Sequence, residues 1–278
     1  MLNPDELTLM TEREKLDLIV EMDDPRGWGE YFEPVLEKLI ADESPRVRQA
    51  AIVVLWDLAD PRFIEPLMDI AQSDKDDEVR GKAASVLGIY VYEAVTTGML
   101  DEVQCIGLRR FLLDLAANTR EPLIVRRMAI EALSFDSDDT VHDLIAWAYD
   151  QPSEEMRMTA LFAMGRSGSP RWYDQIIEGL DSTEKRIKLE AINATAEAPV
   201  AAATPTLRNM ARLPDRDVRA AALWALAHTR GPGALETIEM CALSDDPDLC
   251  RAAEDALEEY HASEAEEAID DAGDYEDF

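Results

Sequence analysis

Basic residues are scarce. Lys and Arg together number 27 against 59 Asp and Glu in 278 residues, a formal net charge of −32. A surface with that excess repels the phosphate backbones that clustered Lys and Arg would hold, and no local basic patch reverses it, so direct nucleic-acid binding is excluded. Long apolar runs are missing as well: none approaches the roughly 18 to 20 uncharged residues needed to cross a bilayer, and no membrane insertion is expected. The N-terminal Met1-Leu2-Asn3-Pro4-Asp5-Glu6 has neither the basic start nor the apolar stretch of a secretory signal. Cysteine is limited to Cys105, Cys241 and Cys250, an odd number without metal-site spacing, which fits a reducing compartment. A soluble, cytoplasmic protein is the expectation.

Catalytic groups are also thin. The histidines are His142, His228 and His261, none of them paired, and there is no close pair of cysteines or histidines of the zinc type. Gly165-Arg166-Ser167-Gly168-Ser169 has the outline of a hydrolase elbow, but the second glycine is misplaced and no strand precedes it, so it reads as a helix end with a Gly-rich turn. No phosphate-cradling Gly-x-x-x-x-Gly-Lys run is present. The acids of Asp74-Lys75-Asp76-Asp77-Glu78 alternate like a calcium loop, yet Val79 stands where such a loop turns on glycine. That segment reads as an acidic helix start. No catalytic, cofactor-binding or metal-ligating residue is therefore assigned.

Repetition is what the sequence has in abundance. An aliphatic residue followed by a basic one, with alanine four positions after the first, recurs at Val47-Arg48/Ala51, Val79-Arg80/Ala83, Val125-Arg126/Ala129, Met156-Arg157/Ala160, Ile187-Lys188/Ala191 and Val218-Arg219/Ala222. Leu249-Cys250/Ala253 is a degenerate seventh copy, and the spacings are 32, 46, 31, 31, 31 and 31 residues. Within each copy, apolar or small residues at offsets 0, 4, 5, 7 and 8 form a stripe of helical period. Ser44, Asp76, Ser153, Asp215 and Asp246 stand at N-cap positions, with Pro45 and Pro247 at N1. A second apolar segment between these helices opens at Asp24-Pro25, Asp60-Pro61, Ser169-Pro170 and Thr204-Pro205. Each repeat is thus a helix pair, and since one pair cannot bury its apolar face alone, the pairs must stack. Alanine at offset 4 lets neighbouring helices approach closely. The basic residue at offset 1, with acids nearby in each repeat, predicts a ladder of ion pairs and hydrogen bonds between adjacent inter-repeat turns.

The run Asp215-Arg216-Asp217-Val218-Arg219-Ala220-Ala221-Ala222-Leu223 resembles the short HEAT repeat of the phycobilisome-lyase-like (PBS lyase HEAT-like) class, and the resemblance extends to about residue 260. It implies an all-α fold, a right-handed α-solenoid of about eight HEAT-like helix pairs with a period of about 31 residues. Proteins of this class include scaffolds, chaperone-like adaptors, bilin lyases, a metal-dependent hydroxylase and DNA glycosylases, so the fold does not name the function. The hydroxylase takes its iron ligands from His-Glu dipeptides, of which this sequence has none. A glycosylase needs a basic groove, which the charge opposes.

Residues 1–260 form the expected solenoid and 261–278 an acidic tail with eight acids and no Lys or Arg, expected to be disordered in its last dozen residues; without it the net charge is still −24. The long 46-residue interval implies an insert around residues 89–106. Tyr90 and Tyr92 there either pack in a lengthened helix or form a secondary partner contact.

If the second helices line a concave surface, as in the proteins this chain resembles, offsets 2, 3, 6 and 10 face it. Offset 6 supplies Phe162, Asn193 and Trp224 as well as Glu131; offset 2 supplies Met158 and Leu189, and Glu190 follows Leu189. The large apolar members of this set form either an exposed patch or a layer buried between close helices. As a patch rimmed by Glu131 and Glu190, they suit a protein partner, and the acidic charge, if it does more than keep the chain soluble, suits a basic one. The leading expectation is a non-catalytic scaffold or adaptor with no cofactor. A bilin-lyase-like protein holding a tetrapyrrole beside Trp224 and His228, and an acidic mimic of nucleic acid, are the alternatives.

Overall fold

The computed structural model describes residues 4–23, 31–198 and 200–273. Among these the regular structure is entirely helical, with short 3-10 turns and no strand. Helix α1 (Glu12–Val20) is followed by seven pairs: α2 (Phe32–Leu39) with α3 (Pro45–Leu58), α4 (Ile64–Ser73) with α5 (Asp77–Thr96), α6 (Glu102–Ala117) with α7 (Leu123–Ala132), α8 (Asp139–Tyr149) with α9 (Glu154–Arg166), α10 (Tyr173–Leu180) with α11 (Lys185–Glu197), α12 (Thr204–Met210) with α13 (Arg216–Thr229), and α14 (Ala234–Ala242) with α15 (Pro247–Gly273). The chain forms two compact units, Met1–Leu144 and Ile145–Phe278, with the boundary inside α8.

Local chemistry sets the helix starts. Asp76 accepts from the Glu78 and Val79 amides, Ser153 from Met156, Asp215 from Asp217 and Val218, and Asp246 from Asp248 and Leu249. Each satisfies amides that the first helical turn leaves without an intrahelical acceptor. Ser44 corrects the pattern: it occupies the N-cap of α3, but its hydroxyl donates to Glu12 Oε2 at 2.8 Å instead of capping. The Asp24-Pro25 start lies outside the described residues.

Three of the second helices, α3, α9 and α13, also end alike. Ala59, Gly168 and Arg230, each at offset 12, all adopt the left-handed conformation, with φ of 46°, 60° and 48°. That conformation closes a helix C-terminus and is unstrained only for glycine.

Packing follows the repeat. In the N-terminal unit α3 lies against α5 and α5 against α7; in the C-terminal unit α9, α11, α13 and α15 lie against one another in turn, each of the last three also packing on the first helix of its own pair. Every offset-4 alanine (Ala51, Ala83, Ala129, Ala160, Ala191, Ala222 and Ala253) is fully buried. Glycine brings two of these helix pairs closer still. A Cβ placed on Gly88 would meet the Ala132 Cα at 2.9 Å, and one on Gly165 would meet the Ala194 Cα at 2.7 Å. Both glycines stand at offset 9 and both alanines at offset 7 of the next second helix, so the same backbone contact occurs once in each unit.

The long interval is absorbed mainly as helix. Helix α5 has 20 residues and α6 has 16, against 13 in α9, and the turn between them passes through Gly98 at φ 68°. The last helix continues to Gly273, into the segment expected as a tail, and residues 274–278 lie outside the described residues.

Candidate functional site

The basic row at offset 1 fastens the turns. Arg48 donates from Nε and Nη2 to the two oxygens of Asp74 (2.8 and 2.7 Å) and from Nη1 to the Asp42 and Glu43 carbonyls (2.8 and 3.1 Å). Arg80 pairs with Glu121 and donates to the Ala71 carbonyl, Arg126 donates to the Ala116 carbonyl, Arg157 reaches Glu184 at 3.2 Å, and Arg219 reaches Asp246 at 2.9 Å. Even the degenerate Cys250 donates its thiol to the Ala242 carbonyl. The expected ladder is present at five of the six basic positions, Lys188 making no such bond among the described residues, and it has a rung that the motif did not reveal. Lys15 of α1 pairs with Asp42 at 2.5 Å, just as Arg48 pairs with Asp74 one repeat later. Helix α1 thus stands as an eighth second helix, hidden because no aliphatic residue precedes Lys15.

With α9, α11 and α13 held in register, their outward faces enclose a groove of about 580 Å³ lined by Phe162, Glu190, Asn193, Ala194, Glu197, Ala220, Ala221 and Trp224. Phe162 comes from α9 and Trp224 from α13; α11 supplies Glu190, Asn193 and Glu197 at i, i+3 and i+7, one face of a helix. The floor is alanine: Ala194, where α9 and α11 touch through Gly165, and Ala220 and Ala221 of α13. Trp224 stays 38% exposed and stacks edge-on with His228, ring centroids 4.4 Å apart. Asn193 and Glu197 are exposed; Phe162 is half-buried, with the Arg166 guanidinium 5.3 Å from its ring centroid. The lining carries two carboxylates and no cation.

Four residues singled out from the sequence therefore meet in one groove: Phe162, Glu190, Asn193 and Trp224. Met158 and Leu189 are half-buried and lie outside its lining, and Glu131 belongs to the N-terminal unit, 3.8 Å from Arg127. Glu197, at offset 10 of its repeat, was not singled out, although offset 10 was among the positions expected to face outward. In the insert the two tyrosines separate. Tyr92 is 38% exposed and packs edge-on against Phe135, but Tyr90 is fully buried. Tyr90 is thus corrected from a partner contact to a core residue: at offset 11 it continues the buried stripe of Val79, Ala83 and Leu87 along α5, and burial drives its phenol pKa up.

The other features read from the sequence take structural roles. Asp74 holds Arg48 and Asp76 the start of α5, and no group of three metal-ligating side chains occurs among the described residues. Gly165–Ser169 closes α9 through Gly168. The three cysteines are free thiols, and burial raises that of Cys241. No described helix is long and apolar enough to cross a membrane.

Stacked helix pairs with buried alanines at a fixed offset, a ladder of ion pairs along their turns and a groove across their second helices define a helical-repeat protein of the α-solenoid class. The chain belongs to the HEAT-repeat family, whose model matches residues 18–95 and 173–258, more than half of its length; the PBS lyase HEAT-like repeat matches residues 156–182. Among solved structures it is similar to the complex of CpcE and CpcF of phycocyanin lyase from Nostoc sp. PCC7120, with 16% identity, TM-score 0.54, and coverage of 80% of this chain and 85% of that one. Human deoxyhypusine hydroxylase matches over 93% of this chain and 99% of its own, at 18% identity and TM-score 0.39. Kap95p in its complex with RanGDP matches at 15% identity and TM-score 0.49, over 83% of this chain and 35% of that one. No curated protein matches.

Proposed function

We propose that the protein is a non-catalytic adaptor that captures a basic segment of a protein partner in the α9–α11–α13 groove. The observation that carries this reading is the pairing of an exposed Trp224 with Glu190 and Glu197 around an alanine floor, with no cation in the lining. Trp is the residue type most enriched at binding hot spots, and paired carboxylates on one helix face favour Lys or Arg. The charge of −32 draws a basic partner in from a distance, an attraction that salt screens. A HEAT-repeat fold suits protein interaction because stacked repeats present an extended surface. The three free thiols support a cytoplasmic setting.

The test is affinity capture from native cytoplasm at low and high salt, followed by the affinity of the captured protein for wild-type, Trp224→Ala and Glu190→Gln/Glu197→Gln chains. A basic protein retained at low salt, with affinity reduced by about 2 kcal/mol in Trp224→Ala, supports the reading. Retention indifferent to both substitutions refutes it. A second reading rests on the size of the groove, which falls in the roughly 300–1,000 Å³ range of small-molecule sites. In it the groove holds a tetrapyrrole beside Trp224 and His228, the fold being similar to that of the phycocyanin lyase complex. A visible absorbance band on protein mixed with bilin, lost in Trp224→Ala, favours this second reading over the first.

A further inference from the structure

The N-terminal unit has a groove of its own, about 1050 Å³, where the ends of α2 and α4 and the turns that lead into α3 and α5 lie side by side. Its apolar lining includes Ala41, Pro45, Pro66 and Ile70, each at least partly open to solvent. Six carboxylates and two cations complete it, and the carboxylates sort into two sets. Asp42 is held by Lys15 and by the Ser44 amide, Asp74 by Arg48, and Asp76 caps α5. These three are committed to the turns. Glu37, Glu43 and Asp69 are exposed and take no part in those bonds. They put negative charge along the rim of an apolar floor without serving the ladder.

We infer that this groove docks a basic amphipathic segment of a partner protein, with its apolar side chains on Pro66 and Ile70 and its Lys or Arg beside Glu37, Glu43 and Asp69. The apolar floor requires more than charge, and the rim requires cations. A second copy of this chain, with its charge of −32, is repelled from such a rim. The site is separate from the α9–α11–α13 groove, so the two can fail independently.

Two fluorescent probes test it on the full chain: a peptide with Leu and Lys at helical spacing, and an oligolysine of equal charge. Binding is measured at low salt for wild type, for Glu43→Gln/Asp69→Asn, for Ile70→Gln and for Trp224→Ala. The amphipathic peptide is expected to bind more tightly than oligolysine and to lose about fivefold in affinity in the double charge variant, two partly screened contacts having been removed. Ile70→Gln is expected to weaken the amphipathic peptide alone, and both losses are expected again when the same substitutions are made in a Trp224→Ala background, where the other groove no longer contributes. The double variant alters only exposed side chains, so its outcome stands even if Ile70→Gln folds poorly. Equal binding of both probes, loss in Trp224→Ala alone, no binding of either probe, or self-association of the chain in place of peptide binding would each overturn the inference.

Discussion

Replacing Gly165 with alanine puts a Cβ 2.7 Å from the Ala194 Cα, 3.0 Å from its Cβ and 3.2 Å from its carbonyl oxygen. The first of these atoms is backbone, so no side-chain rotation relieves the contact, and α9 must move away from α11 by most of an ångström. Overpacking of that kind costs about 1–3 kcal/mol. Against it stands the better helix propensity of alanine, worth about 1 kcal/mol over glycine in a helix interior. Gly107 isolates the second quantity, because it is exposed within α6 and an added Cβ there meets nothing within 4 Å. Gly107→Ala should therefore raise stability by about 1 kcal/mol, and Gly165→Ala should leave it unchanged or lower it by up to about 2 kcal/mol. The difference between the two variants, about 1–3 kcal/mol, is the quantity the structure predicts. Urea unfolding followed by circular dichroism measures it, each variant referred to wild type. Because Ala194 lines the groove, Gly165→Ala should also weaken ligand binding there. Equal stabilisation by both substitutions would refute the close approach of α9 and α11.

The rungs of the ladder differ in burial, and their loss should differ in consequence. Arg48 and Asp74 are 12% and 10% exposed, so Arg48→Ala should cost about 2–4 kcal/mol by leaving a mostly buried carboxylate unpaired; Arg157→Ala, at a rung 32% and 53% exposed, should cost under about 1 kcal/mol in the same urea titration. The Lys185 ammonium and the Val218 amide lower the pKa of Asp215, the Leu249 and Asp248 amides and Arg219 lower that of Asp246, and bonds from Thr140 lower that of Asp138. Folded values below the unfolded ones mean that this stability is present above the ordinary Asp range, about pH 4, and is lost as pH falls through the folded values. Acid unfolding monitored by circular dichroism should accordingly begin below about pH 4, and Asp215→Asn should make the transition less steep. Ala59 holds φ at 46°, a conformation that L-residues adopt at a cost, so Ala59→Gly should raise the thermal midpoint modestly, through about 0.5–1 kcal/mol; an unchanged or lower midpoint would show that Ala59 is unstrained.

Much of this molecule follows from its sequence alone. The near-constant spacing of aliphatic-basic-x-x-Ala, the N-cap residues ahead of it and the 3.6-residue stripe within it determine where the second helices start and which face is buried, because each of these signals is local to one helix. The ladder was legible for a related reason: a cation at a fixed place in most turns meets an acid or a carbonyl of the neighbouring turn when the turns stack. Offset 6 illustrates both the reach and the limit of such reading. None of its seven residues is buried, as the stripe implies, but only Phe162, Asn193 and Trp224 line the groove. What decides between them is the neighbour one period away, since a groove opens where the facing helix offers alanine and closes where it offers bulk. Tyr90 and Tyr92, two residues apart, differ for the same reason: one is covered by surrounding helices and the other reaches Phe135 at the surface. The N-terminal groove was invisible in sequence because it is built from the ends of first helices and from turns, where no periodicity marks a face. Local periodicity determined the repeat; contacts between residues some thirty positions apart, which no single helix encodes, decided where that repeat opens to a partner.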